Sequence, residues 1–197
     1  MMTRLRRLVQ FLSGRWWLVL LVILVNSGSL LVLFWLEERF MALTGQPVID
    51  TQNGITAAGV AEQIVLYSGE ARSAYFAFAA FDFVFPFVGA LVLAVVMSWL
   101  LRHNSTKLAE RLLAWNMPLV VFMSTLFDWL ENVSIVTTIG FGETAPAGLF
   151  TAVVVFKQLK LWTLSIGGGL VGLVFLFTCG VVVYGRFSVS RGGRGRG

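Results

Sequence analysis

The chain has 197 residues, of which 57% are hydrophobic and only 13% are charged, with a formal net charge of +5. Soluble domains usually carry about 25% charged residues, so this composition, with a mean hydropathy of +0.83, excludes a soluble globule and indicates an integral membrane protein. One cysteine, Cys179, excludes an internal disulfide, and one histidine, His103, argues against a histidine-based metal site or a Ser-His-Asp triad.

Four segments are apolar enough for membrane helices, which need roughly 20 apolar residues each. In chain order they are predicted at 16–36, 73–101, 117–139 and 147–184, with an outer loop at 37–72. The first apolar run exceeds the roughly 7–15 residues of a signal peptide, so we interpret it as a retained anchor. The sequence therefore predicts an all-α, polytopic four-helix transmembrane bundle over residues 1–185 and a disordered basic tail over 186–197.

The distribution of charge predicts the orientation of the chain. Arginine and lysine concentrate before the first span, between the second and third spans and in the tail, whereas the other connections are mainly acidic. The positive-inside rule then places both termini in the cytoplasm and the protein in the cytoplasmic (inner) membrane. We interpret the tail SRGGRGRG as a basic segment beside anionic lipid, and expect no nucleic-acid partner.

The outer loop contains signals for a turn and for a short helix. Asn53-Gly54 has turn chemistry, and TAAGVAEQIVLY has apolar residues at helical spacing with Thr56 as the N-cap. This helix is expected either to lie on the outer surface or to form a lid. Ser68 is expected to cap the second span.

Five ionisable residues fall inside the predicted spans, where each charge costs about 2.5–3.5 kcal/mol on insertion scales: Asp82, Asp128, Glu131, Lys157 and Lys160. Such residues normally face the bundle interior and pair with one another. A turn centred near Gly142 places Asp128 level with Lys157 and one helical turn from Lys160, so we expect Asp128 to pair with one of them. Asn132 shares a helix face with Asp128.

Asp82 is expected to lie in one layer with Glu131, because both are at similar distances from the outer ends of their spans. Two carboxylates in one layer are consistent with a shared proton or a bound cation. Pro86 lacks an N–H, so the helix should kink there and free the carbonyl of Asp82. Tyr75 shares a face with Asp82, with Arg72 one turn before it, and this face should look into the bundle.

The remaining span surface offers apolar and small side chains. The phenylalanines of AYFAFAAFDFVFPF either contact lipid or line an apolar pocket beside the acids. Gly168 and Gly172 form a GxxxG motif, which predicts close packing within the bundle or in a homo-oligomer or larger membrane complex. In a purely structural alternative, Lys157 and Lys160 extend to the outer surface and the acids only join helices.

A set of short motifs resembles a group of small, uncharacterised bacterial four-span membrane proteins: Arg72-x-x-Tyr75, Asp82-x-x-Phe85-Pro86, Asp128-x-x-Glu131-Asn132 and Lys157. The resemblance covers about residues 45–160 and departs at Ala71, where that group often has glycine. The group brings no established activity. The resemblance therefore implies that these residues form a set, without implying a function.

Three functions stay open from the sequence. The first is binding of a small amphiphilic or lipid-like ligand, or a transport-accessory role, at an outward-facing polar site without a cofactor or metal. The second is an enzyme acting on a lipid, with Asp128 and Glu131 as acid and base, in which an all-oxygen Mg²⁺ or Ca²⁺ site is the remaining metal option. The third is a structural or assembly subunit. The residues assigned to the ligand site are Asp82, Asp128, Glu131, Asn132, Lys157, Lys160, Arg72 and Tyr75.

Overall fold

A computed structural model describes residues 2–104 and 106–192 of the chain, with side-chain surroundings for 3–104 and 106–184. These residues form α-helices and short 3₁₀ helices and contain no strand, so the predicted all-α class is confirmed. The 3₁₀ helices are Ile49–Thr51, Ile64–Leu66, Met117–Val121 and Gly142–Thr144. The α-helices are α1 (Met2–Leu12), α2 (Trp16–Thr44), α3 (Ala57–Gln63), α4 (Gly69–Asp82), α5 (Phe85–Arg102), α6 (Lys107–Ala114), α7 (Phe122–Phe141) and α8 (Ala147–Gly192).

Four helical stretches are long and apolar enough to cross a membrane: Trp16–Thr44, Gly69–Arg102, Met117–Thr144 and Ala147–Tyr184. The predicted loop at 37–72 is too long, because α2 continues to Thr44 and α4 begins at Gly69. Phe40 holds the last turns of α2 in place by packing its ring against Tyr67 and Tyr75. The left-handed φ of Gly45 (+72°) then ends the helix.

Helix α5 is the centre of the bundle and packs against α2, α7 and α8. The two ends of the bundle have separate apolar cores. At the loop end, where residues 45–68 fold over the helices, the core is built around Phe40, Val60 and Tyr75. At the basic end, α1 and α6 pack onto α5 through Val9 and Ala109.

The loop residues 45–68 are folded closely onto the bundle. Helix α3 packs against α8 with Val60 fully buried, and the Thr56 side chain accepts a hydrogen bond from the Gly59 N–H, as the predicted N-cap requires. Ser68 occupies the N-cap position of α4, but its side chain makes no capping hydrogen bond. The segment therefore covers the loop end of the helices.

The expected kink at Pro86 is a break between α4 and α5. Phe83 and Val84 separate the two helices, and Pro86 lies in the first turn of α5, where a missing N–H costs least. Carbonyls beside the break accept hydrogen bonds from α7. The Trp129 Nε1–H donates to the Phe83 oxygen at 2.7 Å, and the Thr125 hydroxyl donates to the Pro86 oxygen at 3.0 Å.

The glycines of α8 do not bring helices of this bundle together at the expected motif. A Cβ added at Gly167 would contact Val121 at 3.4 Å, whereas one added at Gly168 or Gly172 would have no described heavy atom within 4 Å. The prediction that Gly168 and Gly172 pack against another helix of the bundle is therefore wrong, whereas their use in a homo-oligomer or a larger membrane complex stays a prediction. Helix α8 continues to Gly192, into the predicted tail, and residues 193–197 lie outside the described residues.

Candidate functional site

Two buried acids of α7 face two lysines of α8. Lys157 Nζ lies 2.6 Å from Glu131 Oε1, and Lys160 Nζ lies 2.7 Å from both Asp128 Oδ1 and Glu131 Oε2. The expected pair of Asp128 with Lys160 forms, and the alternative pair with Lys157 is wrong. Thr144, rather than Gly142, lies midway in sequence between the paired residues, because the turn between the helices continues to Pro146.

Lys157 is enclosed by protein rather than extended to the surface. Its side chain is 2% exposed, and Nζ also donates to the Ile49 oxygen at 2.9 Å and the Asp50 oxygen at 2.8 Å. With Glu131, these two carbonyls use all three protons of the ammonium group. The alternative in which Lys157 reaches the outer surface is therefore wrong, and this lysine ties the loop to the bundle.

Asn132 connects α7 to α4. Its Nδ2 donates to Asp82 Oδ2 at 2.9 Å and to Asp128 Oδ2 at 3.3 Å. The contact places the side chain of Asp82 beside Asp128, whereas the expected layer paired it with Glu131. Asp82 has a different neighbour from the expected one because α4 ends at this residue. Helix periodicity in the sequence does not show where that end lies relative to α7.

Asp50 is the site residue that sequence reasoning missed. It follows Ile49 in the folded loop and is only 6% exposed, yet neither carboxylate oxygen has a hydrogen-bond partner among the described residues. Burial, reinforced by the negative charge of Glu131, raises the pKa of Asp50 to about 6 against the opposing pull of Lys157 and Lys160. The apolar pair Val48-Ile49 directly before it was the available signal for burial.

Of the two predicted site residues Tyr75 and Arg72 of α4, one is buried and the other is exposed. Tyr75 is fully buried between the rings of Tyr67 and Phe78, and its hydroxyl faces Asp50 but has no hydrogen-bond partner in the described part of the chain. Arg72 is exposed, with its guanidinium 5.4 Å from the ring centre of Phe76. Tyr75 therefore belongs to the cluster, and Arg72 does not.

A cavity of about 440 Å³ extends from this cluster into the apolar part of the bundle. Asp50, Asp82, Asp128 and Lys160 line its polar end, and side chains of α2 and α5 form most of the remaining wall. Helices α2 and α8 both pack on α5 without extensive contact between their described residues. The lining residues Phe34 of α2 and Leu164 of α8 are 51% and 46% exposed, so the cavity is open between these two helices.

The cluster has more carboxylates than cations. Asp50, Asp82, Asp128 and Glu131 face only two ammonium groups, those of Lys157 and Lys160, which gives a net charge of −2 when every group is ionised. Within the described residues, no group of three or more His, Cys, Asp or Glu side chains is arranged to hold a metal ion. The polar end of the cavity therefore has an excess of negative charge when its groups are ionised.

The chain matches no protein-family model, and neither the curated proteins nor the solved structures include a significant match to it. The motif-level resemblance described above stays a resemblance.

Proposed function

We propose that the protein is a multi-pass protein of the cytoplasmic membrane, with both termini in the cytoplasm, that binds a small amphiphilic, lipid-like molecule in a binding or transport-accessory role. The observation that carries this proposal is the cavity of about 440 Å³ with a charged end, apolar walls and a lateral opening between α2 and α8. Ligand sites typically combine such apolar walls with a few convergent polar groups.

The length of the cavity suits a ligand drawn from one leaflet. Its α2 wall runs from Asn26 to Glu37, which is about 16 Å at the helical rise of 1.5 Å per residue. The hydrocarbon core of a bilayer is about 30 Å thick, so the cavity spans roughly half of it. A polar head would lie beside the carboxylates while its apolar chain followed α2 and α5.

A purely structural role does not explain every residue of the cluster. The ion pairs between α7 and α8 account for Asp128, Glu131 and both lysines. They do not account for Asp50, because a buried acceptor without a partner costs about 1–3 kcal/mol and more when it is charged. A ligand that bonded to Asp50 would offset this cost.

Filling the cavity tests the proposal. Gly89 lines the cavity, and a Cβ added there would lie 3.6 Å from Asn26 Oδ1, so Gly89→Leu places a larger side chain in the ligand space. Gly28→Leu is the matched control, because a Cβ at Gly28 has no described neighbour within 4 Å. We expect native mass spectrometry to detect a retained small molecule on wild type and Gly28→Leu but not on Gly89→Leu.

Two results would contradict the proposal. One is a wild-type protein that retains no small molecule in mild detergent and takes up none from added lipid extract. The other is equal retention by Gly89→Leu and Gly28→Leu at equal thermal midpoints of unfolding.

A further inference from the structure

The unused hydrogen-bonding capacity at the polar end of the cavity consists mainly of acceptors. Among the described residues, neither oxygen of Asp50 makes a well-formed hydrogen bond, although the Tyr75 hydroxyl faces them, and Asp82 is bonded only through Oδ2. The amide oxygen of Asn132, beside Asp82 and Asp128, is also buried without a partner among the described residues. Because an acceptor is satisfied only by a donor, a ligand that completes this set has to donate hydrogen bonds.

The protein has few donors left to supply. Lys157 has used its three protons, and Lys160 has used two in its contacts with Asp128 and Glu131. Among the described residues at this end of the cavity, one N–H of Lys160 and the hydroxyl of Tyr75 remain. The acceptors therefore outnumber the donors at the same place where the net charge is −2 when every group is ionised.

From this combination we infer that the ligand's head is a hydrogen-bond-donating cation, of the class of a protonated primary or secondary amine carried on an apolar chain. The inference rests on the proposed function and specifies its ligand. The ammonium group would lie between Asp50 and Asp82, both of which line the cavity, and donate to their free oxygens. The chain would extend along α2 towards Asn26.

Other occupants of the polar end fit less well. A neutral alcohol donates one hydrogen bond and leaves the charge uncompensated, and an anionic head meets a net negative cluster. A quaternary ammonium carries the charge but cannot donate. Protonation of Asp50 would neutralise its carboxylate and remove the preference for a cation. Equal binding of the charged and neutral amphiphiles in the test below would be the sign of it.

Four amphiphiles with the same chain discriminate between these cases: dodecylamine, dodecanol, dodecanoate and dodecyltrimethylammonium. At pH 7.5 the primary amine is protonated, because its pKa resembles that of a lysine, about 10.4. Binding of each to the full-length protein in a mild non-ionic detergent is measured by native mass spectrometry. Charge-assisted hydrogen bonds to a buried carboxylate predict that the ammonium binds about tenfold or more tightly than the alcohol.

Asp50→Asn is expected to remove most of this preference, measured as the ratio of the dodecylamine affinity to the dodecanol affinity. Glu62→Gln is the control, because Glu62 is an exposed acid of α3 that does not line the cavity. Asp82→Asn provides a second, independent reduction of the preference if Asp50→Asn fails to fold.

The failures of the two proposals are distinguishable. Equal binding of all four amphiphiles, or an unchanged preference in both variants, would overturn the inference and leave amphiphile binding standing. Equal binding of the primary and quaternary ammonium would overturn the hydrogen-bonding part of it. Absence of binding of every amphiphile to the wild-type protein would overturn the proposed function itself.

Discussion

At the scale of single residues, Asp50 and Lys157 are adjacent but differ in their hydrogen bonding. Lys157 is fully bonded to two carbonyls and Glu131, whereas the Asp50 carboxylate is buried without a hydrogen bond. Burial of an ionised acid disfavours folding, and the nearby lysines offset only part of that cost because Glu131 opposes them. Asp50 should therefore reduce the stability of the protein when no ligand is bound.

The stability of the protein should depend on pH through Asp50. Its pKa is about 6 in the folded protein against 3.8 in the unfolded chain, so the folded state binds the proton more tightly. Stability should rise as pH falls from 7.5 through 6 and level off near 4, and the difference is worth on the order of 3 kcal/mol. Asp50→Asn should be more stable than wild type at pH 7.5, with the advantage disappearing near pH 4.

Thermal midpoints of unfolding measured from pH 4 to 7.5 check this expectation, with Glu62→Gln as the control. The groups that face Asp50 are the same in wild type and in Asp50→Asn. The difference between the pH curves of these two proteins therefore reports the titration of Asp50. Parallel curves for wild type and Asp50→Asn would contradict the prediction. The facing groups are Tyr67 of the loop, Tyr75 and Asp82 of α4, Glu131 of α7, and Lys157 and Lys160 of α8.

The sequence identified most members of the cluster but not their partners. Charges at i and i+3 in an apolar helix were sufficient to predict that Asp128 and Glu131 face inwards. Pairing depends on where the turn between α7 and α8 is centred, and a shift of two residues reassigns Lys157 to Glu131. Asp50 could not be placed, because burial of a loop residue depends on contacts with residues more than 100 positions away in the chain.

At the scale of elements, residues 45–68 act as a cap that Lys157 ties to the bundle. The carbonyls of Ile49 and Asp50 accept from Lys157, and the Tyr67 hydroxyl accepts from the Ile49 N–H at 2.9 Å. Thr51 bonds to Glu37 at the end of α2. The cap therefore connects the first half of the chain to α8.

Removing that lysine should release the cap. Lys157→Met leaves two buried carbonyls without a donor and Glu131 with Lys160 alone, and removing one partner of a buried ion pair typically costs about 3–5 kcal/mol. We expect faster amide hydrogen exchange in residues 48–56 and a lower thermal midpoint. Gln158→Met, at the exposed neighbouring position of α8, should change neither measurement.

Equal exchange rates in Lys157→Met and Gln158→Met would show that the cap does not depend on this lysine. Destabilisation of the whole bundle without faster exchange in the cap would have the same meaning. The sequence left a lid as one of two alternatives, because the TAAGVAEQIVLY pattern indicates a helix but not the surface against which it packs.

At the scale of the whole molecule, charge separates the two ends of the bundle. Exposed arginines of α1, together with Arg102 and Lys107, lie at the basic end, whereas the acidic loop covers the other end. Hydropathy alone was sufficient to predict four spans, since each apolar run exceeds the length a bilayer requires. Helices α1 and α6 were missed, because a short amphipathic helix has no long apolar run.

The proposed orientation can be tested by cysteine labelling. In a Cys179→Ser background, Asn53→Cys should react with a membrane-impermeant maleimide on intact cells, because Asn53 is exposed in the loop. Lys107→Cys, exposed at the basic end, should react only after the cells are disrupted. The reverse pattern would show an orientation opposite to the proposed one. Labelling of both positions on intact cells would contradict insertion into the membrane.

The pairing of α7 with α8 has a consequence for how the chain enters a bilayer during its synthesis. In the proposed membrane arrangement, each of these helices alone would bring two charges into hydrocarbon, at about 2.5–3.5 kcal/mol per charge on insertion scales. Joined by their short turn, they neutralise one another through Glu131–Lys157 and Asp128–Lys160. We expect the two helices to leave the translocation machinery as one hairpin, with α7 retained there until α8 has emerged from the ribosome.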